Sequence, residues 1–300
     1  MSKMAFVYPG QGVQNPGMGA DFYKESKEAE QIYNEAESIL DFDIKKVCFE
    51  ENDLINNTEY TQAALVTTYL AITGEVIKRE IFPDVTAGLS LGEYGAICVA
   101  GGMNEKEAIS LVRKRGIYMN NAVPEGFGGM TAVLGLNKED IDNVLREKDG
   151  VSVANYNCPG QIVITGSVEA IESSVPDLKK LGARCVKLKV RGPFHSPYLK
   201  EAGEKLGRDL EKVTFNNLSI PYVSNVTGEY VDDIKYTKEL LKQQVYSPVK
   251  WEQSVRCMIE NGVDTFVEIG PGRTIGGFIR KIDKTVRHIN ISTVEDLKKL

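Results

Sequence analysis

The chain has 300 residues, 42% of them apolar and 26% charged, with a mean hydropathy of −0.23. At roughly 150 residues per domain this means one large domain or two moderate ones with a sizeable core, which excludes a small disulfide scaffold or a disordered chain. Basic residues number 36 and acidic ones 42, a net charge of −6 with no basic block, so no nucleic-acid partner is expected. Residues 4–8 read as a short buried strand stopping at Pro9-Gly10, and a charge-rich helical stretch follows over 21–40. Apolar residues at helical spacing over 61–78 end at Pro83-Asp84, after which a strand at 85–87 leads into Gly88-Leu89-Ser90-Leu91-Gly92. The small residues of 94–101 suit a packed helix. Asn104 reads as the N-cap of a helix running to about Asn121, which ends before Pro124 and the glycine-rich segment 125–129.

Beyond that cluster the order becomes strand 130–134, helix 138–147, strand 151–155, strand 161–165, helix 168–181 and strand 185–190. This is the β-α-β-β-α-β order of ferredoxin-like units. Strands at 220–224 and 265–268, with a helix at 251–260 between them, resume the first layer. The reading is therefore an α/β protein whose large subdomain, 1–125 and 193–300, is interrupted by a small one at 126–192. Five cysteines (Cys48, Cys98, Cys158, Cys185 and Cys257) form no C-x-x-C pair and read as reduced thiols. The N-terminal segment has too short an apolar run for a signal peptide, and nowhere do about 18 apolar residues follow one another. A cytoplasmic protein without a membrane partner is expected. His195 and His288 are the only histidines, which leaves little material for a metal site.

Residues 88–92 fit G-x-S-x-G, a strand-to-helix elbow that would expose the Ser90 hydroxyl; the same residues also suit a plain glycine-rich turn with an N-cap serine. A serine nucleophile needs a neighbouring base. His195 lies in a loop bracketed by Pro193 and Pro197, a place where catalytic groups often sit. His288 lies in an alternating segment that reads as a strand with a solvent-facing imidazole, yet its late position matches the order of α/β-hydrolases better. Pro9-Gly10-Gln11-Gly12 would let backbone N–H groups and the Gln11 amide approach a ligand, but it lacks the phosphate-loop spacing. Gly270-Pro271-Gly272 reads as another strand-to-helix turn. Arg115 shares a helix face with Ala108, Leu111, Val112 and Met119, whereas Arg113 and Lys114 face elsewhere. Its stem either packs while the head reaches water, or the guanidinium is buried and suits a carboxylate held bidentately.

Eight segments, in order, resemble one family along the whole chain: FVYPGQGVQ at 6–14, NTEYTQAALVT at 57–67, GLSLGEYGA at 88–96, LVRKRGIYM at 111–119, NYNCPGQIVITG at 155–166, GPFHS at 192–196, YSPVKW at 246–251 and EIGPG at 268–272. The sequence is similar to the malonyl-CoA:acyl carrier protein transacylases of fatty-acid synthesis and, more distantly, to polyketide-synthase acyltransferase domains. The resemblance implies a hydrolase-like large subdomain with a ferredoxin-like insertion and an active site in the cleft between them. It implies that Ser90 takes the malonyl group as an ester and that His195 acts as base and then acid. Gln11 and the backbone N–H of Leu91 would form the oxyanion hole, Arg115 would hold the malonyl carboxylate, and the backbone carbonyl of Lys250 would orient the histidine. Gln62, Asn155 and Asn157 match further polar positions near the site. No cofactor is implied, the CoA thioester being a substrate, and the partners are malonyl-CoA and acyl carrier protein. Leu89 stands where most members place histidine, and Phe194 before His195 favours malonyl over methylmalonyl. A serine thioesterase and a non-catalytic carrier-binding module are the competing readings. Lys187, Lys189 and Arg191 alternate on one strand face, either as a docking patch for an acidic carrier or as a solvated edge.

Overall fold

The structure, a computed structural model, describes residues 2–300. In chain order the elements are β1 (Lys3–Tyr8), α1 (Ala20–Glu25), α2 (Lys27–Ile39), α3 (Ile44–Phe49), α4 (Thr58–Lys78), β2 (Val85–Gly88), α5 (Gly92–Val99) and α6 (Glu105–Asn120). There follow β3 (Gly128–Leu134), α7 (Lys138–Arg146), β4 (Val151–Cys158), β5 (Gln161–Ser167), α8 (Val168–Lys180) and β6 (Arg184–Lys187). The chain closes with α9 (Lys200–Leu210), β7 (Tyr222–Val223), β8 (Tyr230–Val231), α10 (Thr237–Gln244), α11 (Trp251–Glu260), β9 (Val263–Ile269), α12 (Thr274–Ile282), β10 (Arg287–Ile291) and α13 (Val294–Lys298).

The helix expected over 21–40 is two helices, because Ser26 adopts extended backbone and its hydroxyl accepts from the Ala29 N–H to start α2. α3, at six residues, is too short to show a periodicity. α4 begins three residues before its apolar pattern, where the Asn57 side chain accepts from the Glu59 N–H. It is buried on nearly every side, as a central helix must be.

The strands form two sheets. One has the order β10-β9-β1-β2-β7-β8 and is parallel except for the β7–β8 pair. The other has the order β4-β5-β3-β6 and is antiparallel, the strand order of a ferredoxin-like unit. β6 stops at Lys187, short of the expected 190, with the Leu188 N–H still donating to the Met130 carbonyl one residue beyond it.

Burial on both faces explains the unbroken apolar run of β1. Phe6 and Tyr8 point into the core shared with α2, α4 and α6, while Ala5 and Val7 meet α11 and α12 on the other side. The small sheet is also two-faced. Val133, Ile162 and Ile164 pack under α7 and α8, whereas Met130, Ala132 and Val163 join the large core. That second face forms one wall of a cleft above the carboxyl ends of β1 and β2, where ligands of parallel sheets bind. All five cysteines are free thiols, with Cys48 and Cys158 buried.

Candidate active site

Ser90 follows β2 with φ at 56°, a left-handed conformation that a non-glycine residue adopts only when its surroundings enforce it. The enforcement comes from close backbone approach. A Cβ on Gly88 would lie 1.9 Å from the carbonyl carbon of Gly92, and one on Gly92 would lie 2.4 Å from the Tyr8 oxygen. Asn225, just beyond β7, closes the turn: its Oδ1 accepts from the Ser90 N–H at 2.6 Å and its Nδ2 donates to the Gly88 carbonyl at 2.6 Å.

His195 also has positive φ, at 58°, and only 4% of it is exposed. Its Nε2 lies 2.8 Å from Ser90 Oγ, and its Nδ1 lies 2.8 Å from the backbone oxygen of Gln244. A carbonyl can only accept, so Nδ1 carries the proton and the Nε2 lone pair faces the serine hydroxyl. Burial, and then the positive charge of Arg115, push the imidazole pKa down to about 3 and keep it neutral.

Two expectations about the histidines need correction. The orienting carbonyl belongs to Gln244, not Lys250. The Lys250 carbonyl is consumed by the first turn of α11, accepting from both the N–H and the hydroxyl of Ser254 at 2.9 Å. Gln244 instead ends α10, where the last carbonyls of a helix lack helical donors and are free for a side chain. His288 is not a solvent-facing imidazole and is not in the cleft. Its Nε2 meets the buried Glu268 carboxylate at 3.0 Å, and that carboxylate also accepts from the Ile275 and Gly276 N–H groups that open α12.

Arg115 does not reach water; it is 1% exposed. Nη1 donates to Gln62 Oε1 at 2.7 Å, and Nη2 to Ser90 Oγ at 3.0 Å and Gln244 Oε1 at 2.9 Å. The Tyr94 ring lies 5.7 Å below, and Nε has no acceptor. Among the described residues no carboxylate forms an ion pair with it. The buried guanidinium therefore has two amide oxygens and a hydroxyl for partners, an uncompensated positive charge beside Ser90 of the kind that suits an anion. Arg113, expected to face away from the core, is buried too. It holds Asp41 through Nε and Nη2, both at 2.9 Å, and sits over the rings of Phe42 and Tyr60.

The Gln11 side chain donates to Thr58 Oγ1 at 3.0 Å and is committed there. The backbone N–H groups of Gln11 and Leu91 donate to no acceptor among the described residues, and both residues line the cleft with Ser90. Leu91 is followed directly by the first turn of α5, whose amide dipoles favour negative charge. The cleft encloses about 280 Å³. Gln62, Asn155 and Asn157 line it, both asparagines being buried and Asn157 Oδ1 unpartnered. Leu89, Met119, Met130 and Phe194 give it an apolar wall. Leu188 and Val190 turn inward to the same cleft, while Lys187, Lys189 and Arg191 stay exposed along a groove that runs past Gln11, Asn56 and Thr58. No cluster of three or more His, Cys, Asp or Glu side chains able to hold a metal occurs among the described residues.

Sequence reasoning missed Asn225, Gln244 and Glu93. Only Glu93 carried a signal, as the single charged residue between 85 and 103. Asn225 and Gln244 are polar residues at element ends, indistinguishable in sequence from solvated ones.

The model of the acyl transferase domain matches residues 5–295. The chain belongs to that family. The acyltransferase is 40% identical to the malonyl CoA-acyl carrier protein transacylase of Bacillus subtilis, over 99% of this chain and 96% of that one. The crystal structure of the transacylase of that name from Clostridium perfringens superposes with a TM-score of 0.96 at 41% identity, covering 99% of this chain and 96% of the other. A malonyl-transacylase in complex with a type II polyketide-synthase acyl-carrier protein matches at a TM-score of 0.95 and 36% identity, over 99% of this chain and 98% of its own. No helix among the described residues is long and apolar enough to cross a membrane.

Proposed function

We propose that the protein transfers a malonyl group from malonyl-CoA to the phosphopantetheine thiol of acyl carrier protein, through an ester on Ser90, and so supplies fatty-acid chain elongation. The observation that carries the choice of acyl group is Arg115, a buried cation 3.0 Å from the nucleophile and without a carboxylate of its own. Ser90 Oγ attacks the thioester carbonyl as its proton passes to His195 Nε2. The negative oxygen settles on the N–H groups of Gln11 and Leu91, and the C–S bond breaks as His195 returns the proton to the CoA sulfur. The carrier's thiol then gives its proton to His195 and attacks the ester carbonyl, the bond between Ser90 Oγ and the acyl carbon breaks, and His195 returns the proton to Oγ, so the malonyl thioester leaves on the carrier and Ser90 and His195 are regenerated. Arg115 holds the free carboxylate throughout. Pairing Arg115 with that carboxylate also weakens the second cause of the low His195 pKa, so the diacid makes its own base stronger.

The chain divides in this reading into a large subdomain, 1–125 and 193–300, and a small one, 126–192, which together bound the cleft. The reaction needs no cofactor, because the thioester supplies the activation, and it belongs in the cytoplasm with its soluble carrier. Lys187, Lys189 and Arg191 are the docking patch for that acidic carrier, whose arm would enter between Gln11 and Leu188.

Intact-protein mass after mixing with malonyl-CoA tests the reading, with acetyl-CoA and Ser90→Ala as controls. The expected result is a malonyl adduct on Ser90, absent in the variant, that discharges only when carrier protein is added. An adduct that decays in water alone means a thioesterase, and the absence of any adduct means a non-catalytic module or a different acyl donor.

A further inference from the structure

The mechanism above leaves one buried acid without a role. Glu93 is fully buried in the first turn of α5, three residues after Ser90, and forms no ion pair with any other described residue. Its Oε2 accepts from Gln244 Nε2 at 2.5 Å and from the Asn225 N–H at 3.3 Å, while Oε1 has no partner. Gln244 is the point where the site converges. Its backbone oxygen holds His195, its Oε1 accepts from Arg115, and its Nε2 donates to the Ser90 carbonyl at 2.9 Å as well as to Glu93.

We propose that Glu93 is a positioning residue for this transfer, holding the Gln244 side chain so that Gln244 can set both the carbonyl facing His195 and the amide oxygen facing Arg115. The polarity of the network leaves one arrangement. Were the Gln244 amide turned over, its NH₂ would face the Arg115 guanidinium and its oxygen would face the Ser90 carbonyl and the Glu93 carboxyl. Ionised, or protonated on Oε1, Glu93 presents Oε2 to the amide as an acceptor, and with Asn225, Gln244 and Arg115 all buried around it no exposed group offers a substitute. It also reaches the elbow by a second arm, because the Asn225 backbone it holds carries the side chain that accepts from the Ser90 N–H. Glu93 touches neither the acyl group nor His195, so it acts only through these two neighbours.

The inference rests on the malonyl reading of Arg115, and its signature is selectivity. The test measures kcat and KM for malonyl-CoA and for acetyl-CoA in Glu93→Leu, Glu93→Gln and Gln244→Leu, each checked for folding by circular dichroism. Glu93→Gln, whose amide oxygen can occupy the Oε2 place, should keep the malonyl-to-acetyl ratio of kcat/KM within about threefold of the parent. Glu93→Leu should lower that ratio at least about tenfold, with KM for malonyl-CoA raised and kcat reduced. Gln244→Leu keeps the backbone carbonyl and removes the same side-chain link, so it should lower the ratio by a similar factor and serves if Glu93→Leu does not fold. An unchanged ratio in either folded leucine variant overturns the proposal, as does an equal loss toward both thioesters, which would mark a merely structural role. A parent enzyme that forms no malonyl adduct removes the functional reading itself; a normal parent with unaltered variants removes only this inference.

Discussion

Each of the residues around Ser90 has a separable effect. If Arg115 meets the malonyl carboxylate as proposed, replacing it by alanine costs about 3–5 kcal/mol, the loss when one partner of a buried pair is missing. Malonyl loading should fall by at least about a hundredfold while acetyl loading changes little, a contrast read from competition between the two thioesters by mass. His195→Ala should slow acylation of Ser90 by about 100- to 10,000-fold, whereas His288→Ala should leave labelling intact and lower only stability, by about 1–3 kcal/mol. Unfolding and labelling measured on the same two variants separate them; labelling lost in His288→Ala alone would return the base to that histidine. Lys250→Ala should change kcat/KM by no more than about twofold, since its carbonyl stays in place and is already used by α11.

At the scale of elements, the elbow works because β2, the turn and α5 pack closer than any side chain permits. Gly88→Ala would place a methyl 1.9 Å from backbone, so the turn must open, at a cost of about 3 kcal/mol or more in urea unfolding and with loss of Ser90 labelling. The segment from Lys187 to Arg191 divides its work by face. Its apolar residues line the cleft and its cations face the groove mouth, so reversing all three charges should raise KM for the carrier without altering malonyl loading. Steady-state kinetics at low ionic strength check this, where screening is least. The helices and strands of this region follow the periodicity of their sequence closely. Elsewhere Ser26 breaks a continuous helical pattern by capping α2.

Over the whole molecule, two buried groups give stability an opposing dependence on pH. Burial raises the Glu93 carboxyl from 4.5 to about 8, so between those values the folded state keeps a proton the unfolded chain has released, and stability falls as pH rises. His195 is lowered from 6.5 to about 3, so in that range the unfolded chain binds the extra proton and stability falls as pH drops. Of the two groups only Glu93 acts between pH 6.5 and 8, and the unfolding free energy from urea titrations should decline there by up to about 1.4 kcal/mol per pH unit relative to Glu93→Gln. Parallel curves for parent and variant would contradict the assignment. The sequence by itself determined most elements as far as β6, the β-α-β-β-α-β order of the middle segment, the glycine-flanked Ser90 turn and the family resemblance, because periodicity, glycine spacing and ordered motifs are local properties of a chain. It also placed Arg115 on an apolar face. Only the tertiary structure decided that Arg115 has no carboxylate, that the Gln244 carbonyl rather than that of Lys250 holds His195, and that Glu93 lies beneath them. A backbone carbonyl has no side-chain signature, and these contacts join residues more than 20 positions apart, so their partners are set by packing between elements and not by any pattern within one.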